Sequence, residues 1–225
     1  SGNGLQTLAV IPTRKLGSIA SIVCDVDGDG SEDAFVSEEN ASDYCLISPR
    51  TRKVLGHGTL DPALGSAIHA WDACSTGLSP SGEASVAVIY QTADAPRSQR
   101  IAVVSALTGL QLEPAVDILS RGRGLTCGRI PGGDRRWLAW SGSDNRDSGP
   151  VHLFVREVGV PDSTVEVLLP IDVRRYAGAI CAVPVSGPTH DCLAITVSPA
   201  SPSYGVPVTF DPIMFLDVAR CFEKR

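Results

Sequence analysis

Asp25-Val26-Asp27-Gly28-Asp29-Gly30-Ser31-Glu32-Asp33 places five acidic side chains and two glycines in nine residues, directly between the apolar runs Ser21-Ile22-Val23-Cys24 and Ala34-Phe35-Val36. Carboxylates crowded this closely repel one another unless a hard divalent cation gathers them, and Ca²⁺ takes six to eight oxygens at about 2.3–2.6 Å. Aspartates at the alternate positions 25, 27 and 29 suit a metal loop, whereas a plain solvated turn does not require them. Glycines at 28 and 30 let the backbone fold tightly around an ion.

The last ligand sets the kind of loop. An EF-hand needs a bidentate Glu at the twelfth loop position and a helix on each side, but the twelfth position here is Val36 and the flanks are β-branched and aromatic. The remaining oxygen then comes from Asp33, and the loop joins two strands. In this respect the stretch resembles the calcium-binding repeats of integrin α-subunit-type β-propellers, the FG-GAP repeats. The resemblance implies that Asp25, Asp27, Asp29 and Asp33 give side-chain oxygens to Ca²⁺ while Ser31 gives its backbone carbonyl. It is sharp at the loop and elsewhere extends only to blade rhythm. Leu16-Gly17 stands where the family has Phe-Gly before the loop, and Val36-Ser37-Glu38-Glu39 stands where it has Gly-Ala-Pro after it.

A small-residue opening recurs at Leu16-Gly17-Ser18, Leu64-Gly65-Ser66, Arg123-Gly124-Leu125 and Ala177-Gly178-Ala179, roughly every 50 to 60 residues. Each opens a series of short apolar runs. The first unit gives strands near 18–24, 34–37, 44–47 and 54–55; the second near 68–71, 85–90, 101–104 and 110–112. The third gives 125–127, 137–140, 151–155 and 165–169, and the fourth 180–183, 192–197, 206–210 and 213–216. Four strands per unit describe a propeller blade, so the expected fold is all-β, a β-propeller of about four blades of four antiparallel strands. The units run approximately over 17–64, 65–122, 123–176 and 177–225. Units two to four lack an acidic loop at the matching place, so a single calcium site is expected.

Thr7-Leu8-Ala9-Val10-Ile11-Pro12 looks like Val165-Glu166-Val167-Leu168-Leu169-Pro170 and reads as an outer strand over 5–12 that completes the last blade, removing an open sheet edge. Integrin-type propellers usually have seven blades. The other expectation is therefore part of a larger ring, completed by another propeller segment or chain.

The composition, 43% hydrophobic with 22 Gly and 16 Pro in 225 residues, suits many short strands joined by turns. A net charge of −6 argues against a nucleic-acid surface, and no apolar run approaches the roughly 18 residues of a membrane span. The opening Ser1-Gly2-Asn3-Gly4 has neither initiator Met nor hydrophobic signal and reads as a mature or excised piece. Seven cysteines without a C-x-x-C pair suggest a secretory route. Cys181 and Cys192 bracket a strand-turn-strand centred on Ser186-Gly187 and are expected to face each other in a disulfide, unless the cysteines are simply small buried apolar residues. Asn40-Ala41-Ser42 is an N-glycosylation sequon.

Other motifs carry less. Gly56-His57 and Trp71-Asp72 echo the words of WD40 repeats but do not recur. His69 and Asp72 have no strained nucleophile turn to serve. Trp137 and Trp140, three apart, point to opposite faces of a strand; at least one is expected in the core, leaving the other as a surface anchor. Arg121-Gly122-Arg123 and Arg135-Arg136 read as solvated turns. With no catalytic constellation, the expected function is a non-enzymatic, calcium-stabilised, secreted or cell-surface interaction module that binds a protein partner. The alternative is a carbohydrate-binding propeller, or the accessory propeller of a hydrolase, using Trp71, Trp137 or Trp140.

Overall fold

The computed structural model describes residues 20–37, 42–65, 68–93, 95, 98–118, 123–131, 133–142, 150–172, 175–184, 191–199 and 213–222. Among the described residues the chain is all-β, with its strands in four antiparallel sheets. The first sheet holds β1 (Ala20–Val23), β2 (Asp33–Ser37), β3 (Asp43–Ser48) and β4 (Lys53–Thr59) in that order. The second holds β5 (His69–Leu78), β6 (Ala84–Gln91), β7 (Gln99–Ser105) and β8 (Val116–Ile118). The third holds β9 (Arg123–Arg129), β10 (Arg136–Gly142), β11 (Pro150–Glu157) and β12 (Val165–Asp172). The fourth has three described strands, β13 (Arg175–Pro184), β14 (Asp191–Pro199) and β15 (Ile213–Leu216). Each is an up-and-down meander, and the first strand of each sheet packs on the first strand of the next, β1 on β5, β5 on β9 and β9 on β13. That is the arrangement of consecutive propeller blades. Among the described residues β13 does not pack on β1 in this way.

A blade between two others must be apolar on both faces, and β6 shows how the sequence achieves it. Its run Ser85–Tyr90 is buried throughout. Val86, Val88 and Tyr90 enter the core shared with blade one, together with Phe35, Tyr44 and Leu46. Ala87 and Ile89 enter a different core, shared with blade three. The period of two therefore sorts one continuous apolar run into two interfaces. In β10, Trp140 joins the core between blades two and three, where it stacks on Phe154 at 5.5 Å between ring centroids. Trp137 joins the core between blades three and four. Their opposite orientation is as expected, but neither is a surface anchor: they are 0% and 2% exposed, because both faces of the third blade are covered.

Two glycines make room for aromatic rings. Gly128 pairs across strands with Trp137, and Gly58 with Tyr44. A Cβ at either position would overlap the partner ring.

Two strand expectations are corrected. The outer strand of blade two is Val116–Ile118 and not 110–112; Gln111 makes only an isolated bridge to Val104. Pro114, with no N–H to donate, breaks the ladder between them. In blade four, Ile213–Leu216 is the third strand, paired with β14, and Val218–Cys221 is a 3₁₀ turn. The segment 206–210 lies outside the described residues, as do the 5–12 strand and Asn40.

The expected Cys181–Cys192 disulfide is also absent, and none of the seven cysteines is joined in a disulfide. β13 and β14 do pair around the foreseen turn, but Cys181 lies opposite Ala194 while Cys192 lies opposite Val183. The two are thus diagonal neighbours, about 7–8 Å apart, beyond the Cα separation of about 4.4–6.8 Å that a disulfide spans. Cys74 and Cys127 pack against the core between blades two and three as small apolar residues. Burial pushes the Cys127 thiol up to about 12.

Candidate metal centre

The acidic loop joins β1 to β2 at one end of the first blade. Ile22 and Val23 pair with Ala34 and Asp33, so the strands on either side bring the two ends of the loop together. Gly28 and Gly30 have φ of 76° and 83°, the left-handed conformation that only glycine adopts without strain. The amides these turns expose point at carboxylates. Asp25 Oδ1 accepts from the amides of Gly28 at 2.7 Å and Asp29 at 3.0 Å, and its Oδ2 accepts from Gly30 at 2.8 Å. Asp27 Oδ1 accepts from the Asp29 amide at 3.1 Å, and Asp29 Oδ1 from the Ser31 amide at 2.9 Å.

These bonds gather the side chains. One carboxylate oxygen from each of Asp25, Asp27 and Asp29 lies within 4.8 Å of the others. Oxygens that share a Ca²⁺ at about 2.3–2.6 Å can be at most roughly 5 Å apart, so the spacing suits that ion. The electrostatics divide the group. The Gly30 amide, with those of Gly28 and Asp29, holds the Asp25 carboxyl below its usual range against partial desolvation. Desolvation and the charges of Asp29, Asp33 and Asp25 raise Asp27 above its own.

Asp33 opens β2 and is completely buried. Its Oδ2 accepts from the Val26 amide at 2.7 Å, while Oδ1 is buried without a hydrogen-bond partner. A buried carboxylate oxygen left unpaired costs roughly 1–3 kcal/mol or more, yet Asp33, an expected ligand, is not among the three carboxylates that the structure brings together. The three converging donors are hard and anionic. Ser31 lies in the loop with its amide bonded to Asp29, and Glu32, the fifth acid, is exposed.

The motifs given little weight have structural roles where they are described. Asp72 Oδ2 accepts from the Leu125 amide at 2.8 Å and Oδ1 from the Ala73 amide, tying β5 to β9. Burial raises its carboxyl above the usual range. The His69 side chain lies outside the described residues. Trp71 is 48% exposed and donates Nε1 to Gln91 Oε1 at 3.2 Å. Arg135 makes a two-armed pair with Glu157 at 2.6 and 2.7 Å, so the Arg135-Arg136 step is not a free solvated turn.

Sequence reasoning missed the polar contacts that cross between blades. Arg156, 0% exposed on β11, donates Nη2 to Glu113 Oε2 at 3.0 Å, and Glu113 Oε1 accepts from the Gly159 amide at 2.8 Å. Asp191 at the start of β14 accepts from the backbone and guanidinium of Arg129 on β9. Thr126 Oγ1 accepts from the Ala182 amide at 3.0 Å. Partners 43 to 62 residues apart leave no local signal.

No protein-family model matches the chain, and no curated protein matches it. Among solved structures it is similar to the Dos1 propeller, at 11% identity and a TM-score of 0.46, over 79% of this chain and 41% of that one. It is also similar to a GH43 β-1,3-galactosidase with galactodeoxynojirimycin, at 10% identity and a TM-score of 0.46, over 81% of this chain and 68% of that one. The chain thus spans less than half the length of the Dos1 propeller. The protein class defined by its four sheets is a β-propeller-like domain, with one acidic loop on its first blade.

Proposed function

We propose that this chain is a calcium-stabilised extracellular interaction module of the integrin α-like, FG-GAP propeller type, which binds a protein partner and is not an enzyme. The observation that carries the calcium reading is the convergence of the Asp25, Asp27 and Asp29 carboxylates within 4.8 Å of one another; Asp33, whose buried Oδ1 has no hydrogen-bond partner, lies outside that group. Asp25, Asp27, Asp29 and Asp33 would hold the ion through side-chain oxygens and, by the resemblance, Ser31 through its carbonyl. The ion would supply positive charge to a loop that otherwise carries mutually repelling carboxylates. The chain's own residues do the rest: the glycine turns aim amides at Asp25, and the β1–β2 pairing fixes Asp33.

A partly exposed loop of this kind suits the weak binding, about 10⁻⁴–10⁻³ M, typical of extracellular calcium modules. The partner would meet loops held rigid by the ion, and a further propeller segment or second chain is a candidate partner for the end blades.

Wild-type protein is expected to melt at a higher temperature in calcium than in EGTA, because the ion binds only the folded state. In Asp27→Ala/Asp29→Ala the difference should vanish, and it should shrink in acid as carboxylates protonate. Identical melting of the wild type in calcium and EGTA would defeat the reading.

A glycan-binding role is favoured by Trp71, the one tryptophan left exposed, with Gln91 at its indole N–H. Trp137 and Trp140 are withdrawn from that role by burial. Binding on a glycan array that Trp71→Ala abolishes would favour it over the protein partner.

A further inference from the structure

The loop carboxylates are not held alike. Asp25, Asp27 and Asp33 accept backbone hydrogen bonds from amides of the loop itself. Asp29 is also held from outside: its Oδ2 accepts from the Ser48 hydroxyl at 3.0 Å, and its backbone carbonyl accepts from the Arg50 guanidinium. Ser48 is the last residue of β3, and Arg50 lies in the turn to β4. Both contacts converge on one ligand residue from one neighbouring hairpin.

Ser48 is built into place. It is 0% exposed, and while its hydroxyl donates to Asp29 the same oxygen accepts from the Thr51 amide at 3.2 Å. The Ser48 carbonyl accepts from the Arg52 amide at 2.8 Å, closing the turn around Arg52 at φ 59°. A hydroxyl whose one proton goes to a metal-ligating carboxylate, and whose lone pair is taken by the turn, transmits the position of each to the other.

We propose that Ser48 is the positioning residue of the metal loop and that, with Arg50, it makes the β3–β4 turn the part of the surface that responds to the ion. This rests on the calcium reading above. Outer partners that hydrogen-bond a ligating carboxylate orient it, and losing one typically lowers metal affinity about 10–100-fold. The coupling is reciprocal: a turn that steadies Asp29 tightens the site, and an ion that steadies Asp29 must order the turn.

The test is calorimetric calcium titration of the full chain, as wild type, Ser48→Ala, Ser48→Thr and Arg50→Gln, with hydrogen exchange at Thr51 and Arg52. Ser48→Ala should weaken calcium binding about 10–100-fold, and Ser48→Thr, which keeps the hydroxyl, should recover most of the loss. Calcium should slow exchange of the Thr51 and Arg52 amides in the wild type, and much less in Ser48→Ala even at saturation. If Ser48→Ala does not fold, Arg50→Gln, at an exposed residue, carries the test through the same exchange readout. A wild type that binds calcium with no change at Thr51 and Arg52, or a Ser48→Ala chain that binds as tightly as wild type, overturns the proposal and leaves the calcium reading intact. A wild type that binds no calcium removes both.

Discussion

Glu113→Ala is expected to lower the folding stability by about 3–5 kcal/mol, the cost of removing one partner from a buried ion pair. Arg156 is 0% exposed, and the Glu113 carboxylate is its hydrogen-bonded counter-charge, at 3.0 Å. Burial alone pushes the Arg156 guanidinium below its usual range, with Glu113 opposing the shift. Guanidinium remains charged at any accessible pH, so the truncated protein must either bury an uncompensated cation or open the blade. Glu113 also accepts from the Gly159 amide in an exposed turn, a bond the substitution removes. For a chain of this size the melting temperature should fall by roughly 10 °C. The double replacement Glu113→Leu/Arg156→Met should recover much of the loss, since apolar residues of similar volume often replace a buried pair at little cost. Urea denaturation of the two variants checks both. A Glu113→Ala chain within 1 kcal/mol of wild type would mean that Arg156 reaches water or another partner.

Trp137→Ala is expected to cost a similar amount, about 3–5 kcal/mol, while Trp71→Ala should change stability by less than about 1 kcal/mol. Trp137 is fully buried against Ile130, Val155, Ile180 and Leu193, and its ring lies over Gly128, whose missing side chain leaves room for it. Removing the indole leaves a cavity between blades three and four that a glycine cannot fill. Trp71, 48% exposed, makes no comparable core. Denaturant midpoints for the two alanine variants distinguish the roles; equal small effects would place Trp137 outside the core.

The contrast between the tryptophans shows what could be read from the chain. Strand existence was legible wherever a β-branched or aromatic run stood between turn residues, and the runs at 34–37, 85–90, 101–104 and 137–140 all lie within observed strands. The glycine turns of the acidic loop were legible because only glycine takes their conformation cheaply. The fate of Trp137 and Trp140 was not. Alternation assigns them to opposite faces, but only the stacking of blades on both sides makes each face a core.

Edges were the weakest part of the reading. The outer strand of blade two moved because Pro114 interrupts its ladder and Glu113 is drawn to Arg156, a partner 43 residues away. Cys181 and Cys192 were close enough in sequence to suggest a bridge, but their pairing register offset them. At the acidic loop, the carboxylate pattern pointed to Asp25, Asp27, Asp29 and Asp33, of which the first three converge, while Ser48 and Arg50 come from a different hairpin and carry no motif.

The most direct measurement of the central claim is equilibrium dialysis of the wild-type chain against radioactive calcium, with Asp33→Asn beside it. One ion per wild-type chain is expected, with clearly weaker binding to Asp33→Asn, because that substitution removes the charge from a buried carboxylate whose Oδ1 no protein group satisfies. No calcium bound to the wild type at millimolar concentrations, or binding that Asp33→Asn leaves unchanged, would contradict that claim.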